Sequence, residues 1–178
     1  RLSYAEAKAL WKCNDKIAEQ NYRRFQEMDL TRNLTPAVTA YEGIQYQYMA
    51  PAVFGAEESE YIQEHLRILS GFYGVLKPFD GVVPYRLEMQ AKASDAGDLY
   101  QFWGGKLYRE VVRGDNGNPL CGRGEKEESR KGAVIVNLAS KEYSRCIEKY
   151  LQPEDAFITV TFGELIDGKV KQKGTYAK

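Results

Sequence analysis

Histidine is almost missing from this chain, and its cysteines are few and scattered. His65 is the single histidine, so a multi-histidine metal site or a Ser-His-Asp triad would have to be built around one residue. Cys13, Cys121 and Cys146 are odd in number, far apart and outside any Cys-x-x-Cys pair. That spacing excludes zinc fingers and fits reduced thiols better than a disulfide framework. Net charge is missing too: 25 Lys+Arg face 25 Asp+Glu, which leaves no global positive field to draw phosphate. No apolar run approaches the roughly 20 residues that cross a bilayer, and no charged-then-apolar leader opens the chain. The expected compartment is the cytoplasm, with no membrane partner. Walker A, G-x-G-x-x-G and H-E-x-x-H are all lacking, so nucleotide and zinc chemistry lose their usual signatures, and neither a cofactor nor a metal is expected. A carboxylate site stays open, because carboxylates converge only in three dimensions.

What is present reads as one ordinary folded domain. Its 178 residues are 43% hydrophobic and 28% charged, enough to bury a core without staples. Ser3 and Glu6 form an S-x-x-E capping box, and Leu10, Trp11, Ile17, Ala18, Phe25 and Met28 follow at helical spacing. One long first helix is expected, with Asn14 and Asn21 seven residues apart on its stripe and in need of hydrogen-bond partners. Thr35-Pro36 reads as a cap and first turn for a segment rich in tyrosine (Tyr41, Tyr46, Tyr48). A helix over 57–70 would present Tyr61, Ile62, Leu66, Leu69 and a packed His65 on one face, with Gly71 at its C-terminus. Asp98 can cap a helix through Val111 in which Gly104-Gly105 marks a kink or close contact. Residues 113–132 read as a polar loop. A short strand over 133–138 then leads into a helix opened by Ser140. Asp167-Gly168 predicts a type I′ hairpin between 157–162 and 169–176. Lys169, Lys171, Lys173 and Lys178 are either a solvated strand face or a local basic patch.

The segment LSGFYGVLKPFDGVVPYRLEM, residues 69–89, packs more constraints than any other. Gly71 and Gly74 bracket a tight reversal that has two uses. One is a helix-hairpin-helix whose exposed amides hold a phosphate, with Lys77 adding charge. The other is a helix stop followed by an ordinary turn, which Pro78 favours because a residue before proline avoids helix. Residues 84–89 alternate like a strand, with Tyr85, Leu87 and Met89 on one face and Arg86 and Glu88 on the other. Arg86 is then either an anion contact or a solvated ion. Asp80, Arg86 and Glu88, with Asn21, could alternatively line the pocket of an enzyme or small-ligand binder.

LRILSGFYGVLKPFDGVVPYRLEM, LYQFWG, IVNLASKEY and, more loosely, NDKIAEQNYRRF closely resemble successive motifs of the YaaA peroxide-stress family. The resemblance spans about residues 14–178. Members usually begin with a strand and a Ser-Pro-Ala-Lys segment, and they continue past the Ala-Lys motif that GKVKQKGTYAK approaches. Both ends of this chain are therefore expected to be truncated. The resemblance implies a cytoplasmic protein that limits oxidative damage to DNA and protein by keeping unincorporated iron low, and it implies no established catalytic reaction. It also implies a DNA-binding helix-hairpin-helix beside a basic cleft, which maps onto 64–79 with Gly71, Gly74 and Lys77, Arg86 bordering the cleft. DNA, duplex or branched, is the expected partner. An iron-handling role through protein contacts is a further alternative. The expected fold is α+β: one domain with several helices around a small mixed sheet and a C-terminal β-hairpin.

Overall fold

The computed structural model describes residues 2–93, 97–112 and 132–172. The expected polar loop over 113–132 lies outside them except for Gly132, as do Cys121, Lys173 and Lys178. Helix α1 (Tyr4–Trp11) opens at the predicted capping box, with the Ser3 hydroxyl accepting from the Glu6 amide and the Glu6 carboxylate from the Ser3 amide at 2.7 Å. The long first helix does not continue. Lys12 turns into the left-handed region (φ 47°), and Asn14 starts α2 (Asp15–Glu27) by accepting from the Ile17 amide at 3.0 Å. A good N-cap inside a helical pattern offers the backbone a second start, and here it wins. The apolar stripe survives the break: Trp11 stacks on Phe25, and Ala7, Trp11 and Ala18 form one buried cluster.

Thr35-Pro36 is a strand rather than a helix start. β1 (Thr35–Pro36) precedes α3 (Ala37–Ala40), whose first amides donate to the carbonyls of Asp80 and Pro78 at 2.9 Å. α4 (Ile44–Met49) and α5 (Ala56–His65) follow, and then β2 (Ile68–Ser70), β3 (Gly74–Leu76) and β4 (Gly81–Val82). β4 pairs with β1. The helix expected over 57–70 thus stops at His65, and the residues after it form a hairpin in which Ile68 faces Leu76 and Ser70 faces Gly74. The helix-hairpin-helix mapped onto 64–79 is corrected to a helix followed by a β-hairpin. Helical spacing and strand alternation compete at Leu66 to Ser70, and burial of both Ile68 and Ser70 on one strand face decides for the strand. His65 consequently stands exposed against the ring of Tyr61 instead of in a core.

The rest follows the sequence more closely. β5 (Lys92–Ala93) and β6 (Gly97–Asp98) lead to α6 (Leu99–Trp103), capped by Asp98 through the Gln101 amide at 2.8 Å. Gly104 (φ 49°) and Gly105 break the run before α7 (Lys106–Val111), and a side chain at Gly105 would meet the ring of Tyr150 at 3.2 Å. β7 (Val134–Asn137), α8 (Lys141–Glu148) and β8 (Ala156–Thr159) form a β-α-β unit whose strands pair in parallel. β9 (Gly163–Ile166) and β10 (Lys169–Gln172) form the hairpin, with φ positive at both Asp167 and Gly168 as a type I′ turn requires. Its first arm is 163–166, not 157–162, because β7 already holds β8 and a two-residue turn pairs the residues next to it, Ile166 with Lys169. The class is α+β as expected. Among the described residues the sheet is divided into five two-stranded pairs, four antiparallel and one parallel.

Residues 68–89 touch all three buried clusters. Ile68, Leu76 and Val82 pack with Ala37 and Val38; Leu69, Val75 and Met89 pack with Leu107 and Ile147; Leu87 packs with Trp11 and Ala18. The stretch 83–88 alternates inward and outward as predicted but has no strand partner among the described residues. Asn21 takes the partner's place. Its carboxamide accepts from the Arg86 amide at 2.8 Å and donates to the Arg86 carbonyl at 2.9 Å. At 1% exposure, Asn21 is a structural clamp rather than a pocket residue. Gly71 is buried where a Cβ would sit 2.6 Å from the Leu87 carbonyl, and its own carbonyl accepts from the Trp103 indole at 3.0 Å. Replacing Asn21 with Ala leaves the Arg86 amide and carbonyl, bonded at a part-buried position, without their partners, so the expected loss is about 1–3 kcal/mol. Urea unfolding of the variant measures it, and a loss below about 0.5 kcal/mol, typical of a surface change, would contradict the clamp.

Candidate functional site

The hairpin that the sequence singled out builds a chain of hydroxyls. Ser70, the last residue of β2, turns its hydroxyl back over the reversal and accepts from the amides of Tyr73 at 2.8 Å and Phe72 at 3.2 Å. Its oxygen also lies 2.5 Å from the hydroxyl of Tyr85, which is 2.7 Å from the hydroxyl of Tyr41. The direction of these bonds follows from counting. A serine oxygen has two lone pairs and both are taken by amides, so Ser70 donates to Tyr85. The Tyr41–Tyr85 bond uses one phenolic proton, and the other is left over. Among the described residues the Tyr85 hydroxyl hydrogen-bonds only Ser70 and Tyr41, its ring packing on Phe72 and Tyr73, whereas Tyr41 lines a cleft. Sending the surplus proton of Tyr41 into that cleft leaves no buried donor unpaired.

The cleft has a volume of about 840 Å³. One wall carries Tyr41, Tyr46 and Tyr48 with the end of α5; the other carries β7 and Tyr143 of α8. Tyr46 stacks on Tyr41 at 5.9 Å between ring centres, and the Tyr73 hydroxyl accepts from the Val83 amide at 3.0 Å. These contacts hold the rings in place. At the rim, the Arg67 guanidinium donates to the carbonyls of Glu64 and Leu66 at 2.8 Å and of Gln63 at 3.3 Å, a cation seated on the C-terminus of α5. Burial pushes Tyr41, Tyr46 and Tyr85 above the ordinary tyrosine value, and burial together with Glu142 pushes Tyr143 up to about 12. All four phenols are therefore neutral donors at physiological pH. A planar ligand carrying an acceptor oxygen suits such walls.

None of the site residues proposed from the sequence, Gly71, Gly74, Lys77, Arg86, Asn21, Asp80 and Glu88, lines this cleft. Gly71 and Gly74 are buried against Leu87 and Trp103. The hairpin amides that a phosphate clamp would offer, those of Phe72 and Tyr73, are already bonded to Ser70. Asp80 accepts from the Lys77 amide at 2.8 Å and closes the turn after β3. Arg86 and Glu88 pair at 2.6 Å on the surface, each about two-fifths exposed (42% and 41%). Among the described residues no three His, Cys, Asp or Glu side chains gather as metal ligands, and no helix is long and apolar enough to cross a membrane. Sequence reasoning missed Ser70 and Tyr85 as site residues. The cluster of tyrosines at 41, 46 and 48 was the available signal. Asp155 was missed as well; it accepts from the Tyr108 hydroxyl at 2.5 Å and from the Ala133 amide at 2.9 Å, joining α7 to the strand that forms the far wall.

Comparison with known proteins bears directly on the hairpin and its neighbours. A family model described as peroxide stress protein YaaA matches residues 1–178. The chain belongs to this family. Among relatives of the YaaA-family chain, a UPF0246 protein from Agathobacter rectalis is 58% identical over 178 residues, covering 99% of this chain and 65% of its own length. One from Pediococcus pentosaceus is 54% identical over 180 residues, covering 100% and 65%. Another from Lachnoclostridium phytofermentans is 53% identical over 179 residues, covering 99% and 64%. The YaaA-family chain thus spans just under two thirds of the length of these relatives.

The raised tyrosines make stability depend on alkaline pH. A phenol that holds its proton longer in the folded state, as Tyr143 does between its ordinary 10.0 and about 12, stabilises the fold less as pH rises through that window. Unfolding free energy is expected to fall from pH 10 toward 12, and Tyr143→Phe is expected to flatten the decline. Chemical denaturation at each pH, with tyrosinate absorbance followed in parallel, tests both; equal slopes for the two proteins would contradict the assignment.

Proposed function

We propose that this chain works in the response to peroxide stress, limiting oxidative damage to DNA and protein and lowering free iron, and that its working surface is the tyrosine-walled cleft. The supporting observation is the hydroxyl chain linking Ser70, Tyr85 and Tyr41, and with Ser70 donating by its lone-pair count the chain ends in a polarised donor at the cleft wall. Hydrogen bonds in series strengthen one another, so the last O–H is a better donor than an isolated phenol. Beside it, Tyr46 offers a stacking face and β7 an apolar wall. These are the means to bind a flat ligand with a carbonyl or carboxylate oxygen. Binding is the activity this geometry supports, and the ligand couples the protein to the stress response. Titration with a panel of aromatic carboxylates beginning with benzoate, followed by NMR of ring-labelled tyrosine, tests the reading. A saturable shift at Tyr41 is expected, with Tyr41→Phe weakening it about tenfold, the worth of one hydrogen bond. No saturable shift across the panel would refute it.

DNA association is a second reading, favoured by Arg86. Its backbone is fixed at two points by Asn21 and its guanidinium is exposed, so holding a phosphate would cost less ordering than at a mobile loop. Glu88 competes for the same cation. Binding to labelled duplex and branched DNA across a salt series is expected to weaken steeply with salt and to drop in Arg86→Ala and Lys77→Ala. No binding at low salt would remove this reading and leave the cleft.

A further inference from the structure

Among the described residues, the parallel pair β7–β8 is finished on one face and bare on the other. Ile135 and Phe157 pack inward against the cluster around Leu107 and Ile147. The opposite face presents Val134, Val136 and Leu138 at 72%, 55% and 58% exposure, beside Ile158 at 52% and Val160 at 40%. Register puts these side chains together, since Val136 stands opposite Ile158. The hairpin that follows in the chain also exposes apolar side chains, with Leu165 and Val170 paired and exposed at 74% and 60%. Parallel strands occur almost only with both faces covered, and a lone two-stranded pair is marginal in water. A contiguous apolar surface of this kind marks an interface.

We infer that this face and the free edge of β7 are covered by the part of the full-length protein that lies outside residues 1–178. The relatives' length supports that occupant: they align along 99% or 100% of this chain yet only 64% or 65% of their own length, which leaves about a third of each relative outside the matched part. The bare strands are where the described residues offer an apolar sheet face and unpaired strand backbone together. The added segment forms the outer side of the cleft, because Val134, Val136 and Leu138 are also part of its β7 wall. This inference holds whether or not the cleft binds the ligand class proposed above, and its test uses no ligand.

Thiol labelling in a chain extended to the relatives' length tests it. Val136→Cys is expected to react with a maleimide at least tenfold more slowly than Val53→Cys, whose site is 81% exposed, and at the same rate once both are unfolded in urea. Peptide-level mass spectrometry separates these thiols from Cys13, Cys121 and Cys146. Hydrogen exchange on the unsubstituted protein provides the second measurement, with slow exchange expected over 134–138. Equal labelling rates with fast exchange would overturn the inference. So would protection that disappears on dilution, which would assign the face to a second copy of the chain.

Discussion

Two hydrogen bonds between the Asn21 side chain and the backbone of Arg86 hold the extended segment after the hairpin against α2. An extended segment without a neighbouring strand would pay the full entropy of an ordered backbone and leave its polar groups to water. A carboxamide sets an acceptor oxygen beside an amino group that donates, in nearly the spacing of a peptide unit, so Asn21 acts as one residue of a missing strand. The clamp ties α2 to residues 83–88. Gly71 then lets the hairpin backbone approach Leu87, and Trp103 bonds the Gly71 carbonyl from the opposite side. Three apolar clusters meet along this line, which is why so many conformational constraints fall between residues 69 and 89.

The hydroxyl chain depends on the same clamp. Tyr85 and Arg86 are adjacent in an extended segment, so fixing Arg86 outward fixes Tyr85 inward, within reach of Ser70 and Tyr41. A slip of one residue would exchange them and put the guanidinium among tyrosines. The site is therefore a consequence of how the fold is held, and its donor is set by the number of lone pairs on Ser70. Such a chain suits a protein of the peroxide-stress family in one respect: its phenols stay protonated, and their hydrogen bonding does not depend on a titrating histidine or thiol.

Local chemistry was legible where one turn or cap decides the matter. The Ser3–Glu6 box, the Asp98 cap, the break at Gly104-Gly105, the strand before Ser140 and the Asp167-Gly168 turn all follow from residues within four positions of one another. The boundaries went astray where two local signals compete. Asn14 can extend the first helix or start another. Residues 66–70 can continue α5 or pair with β3. In both cases spacing alone is neutral, and a competing local partner settles the matter: the Asn14 cap on the Ile17 amide and the pairing of 68–70 with β3. The run 157–162 was misplaced for the same reason, because β7 claims its first residues.

The sequence by itself determined the α+β class, the family, the balanced charge and the local caps and turns, because composition and short-range stereochemistry are properties of neighbouring residues. Only the tertiary structure decided what the glycines at 71 and 74 are for, that Asn21 replaces a strand, and that Arg86 and Glu88 pair with each other instead of lining a pocket. It also chose Tyr41, Ser70 and Tyr85 from a chain rich in hydroxyls. Apart from the Arg86–Glu88 pair, those outcomes depend on close approach between segments far apart in the chain, and a hydrogen bond is made or lost over a fraction of an ångström that no spacing along the chain records.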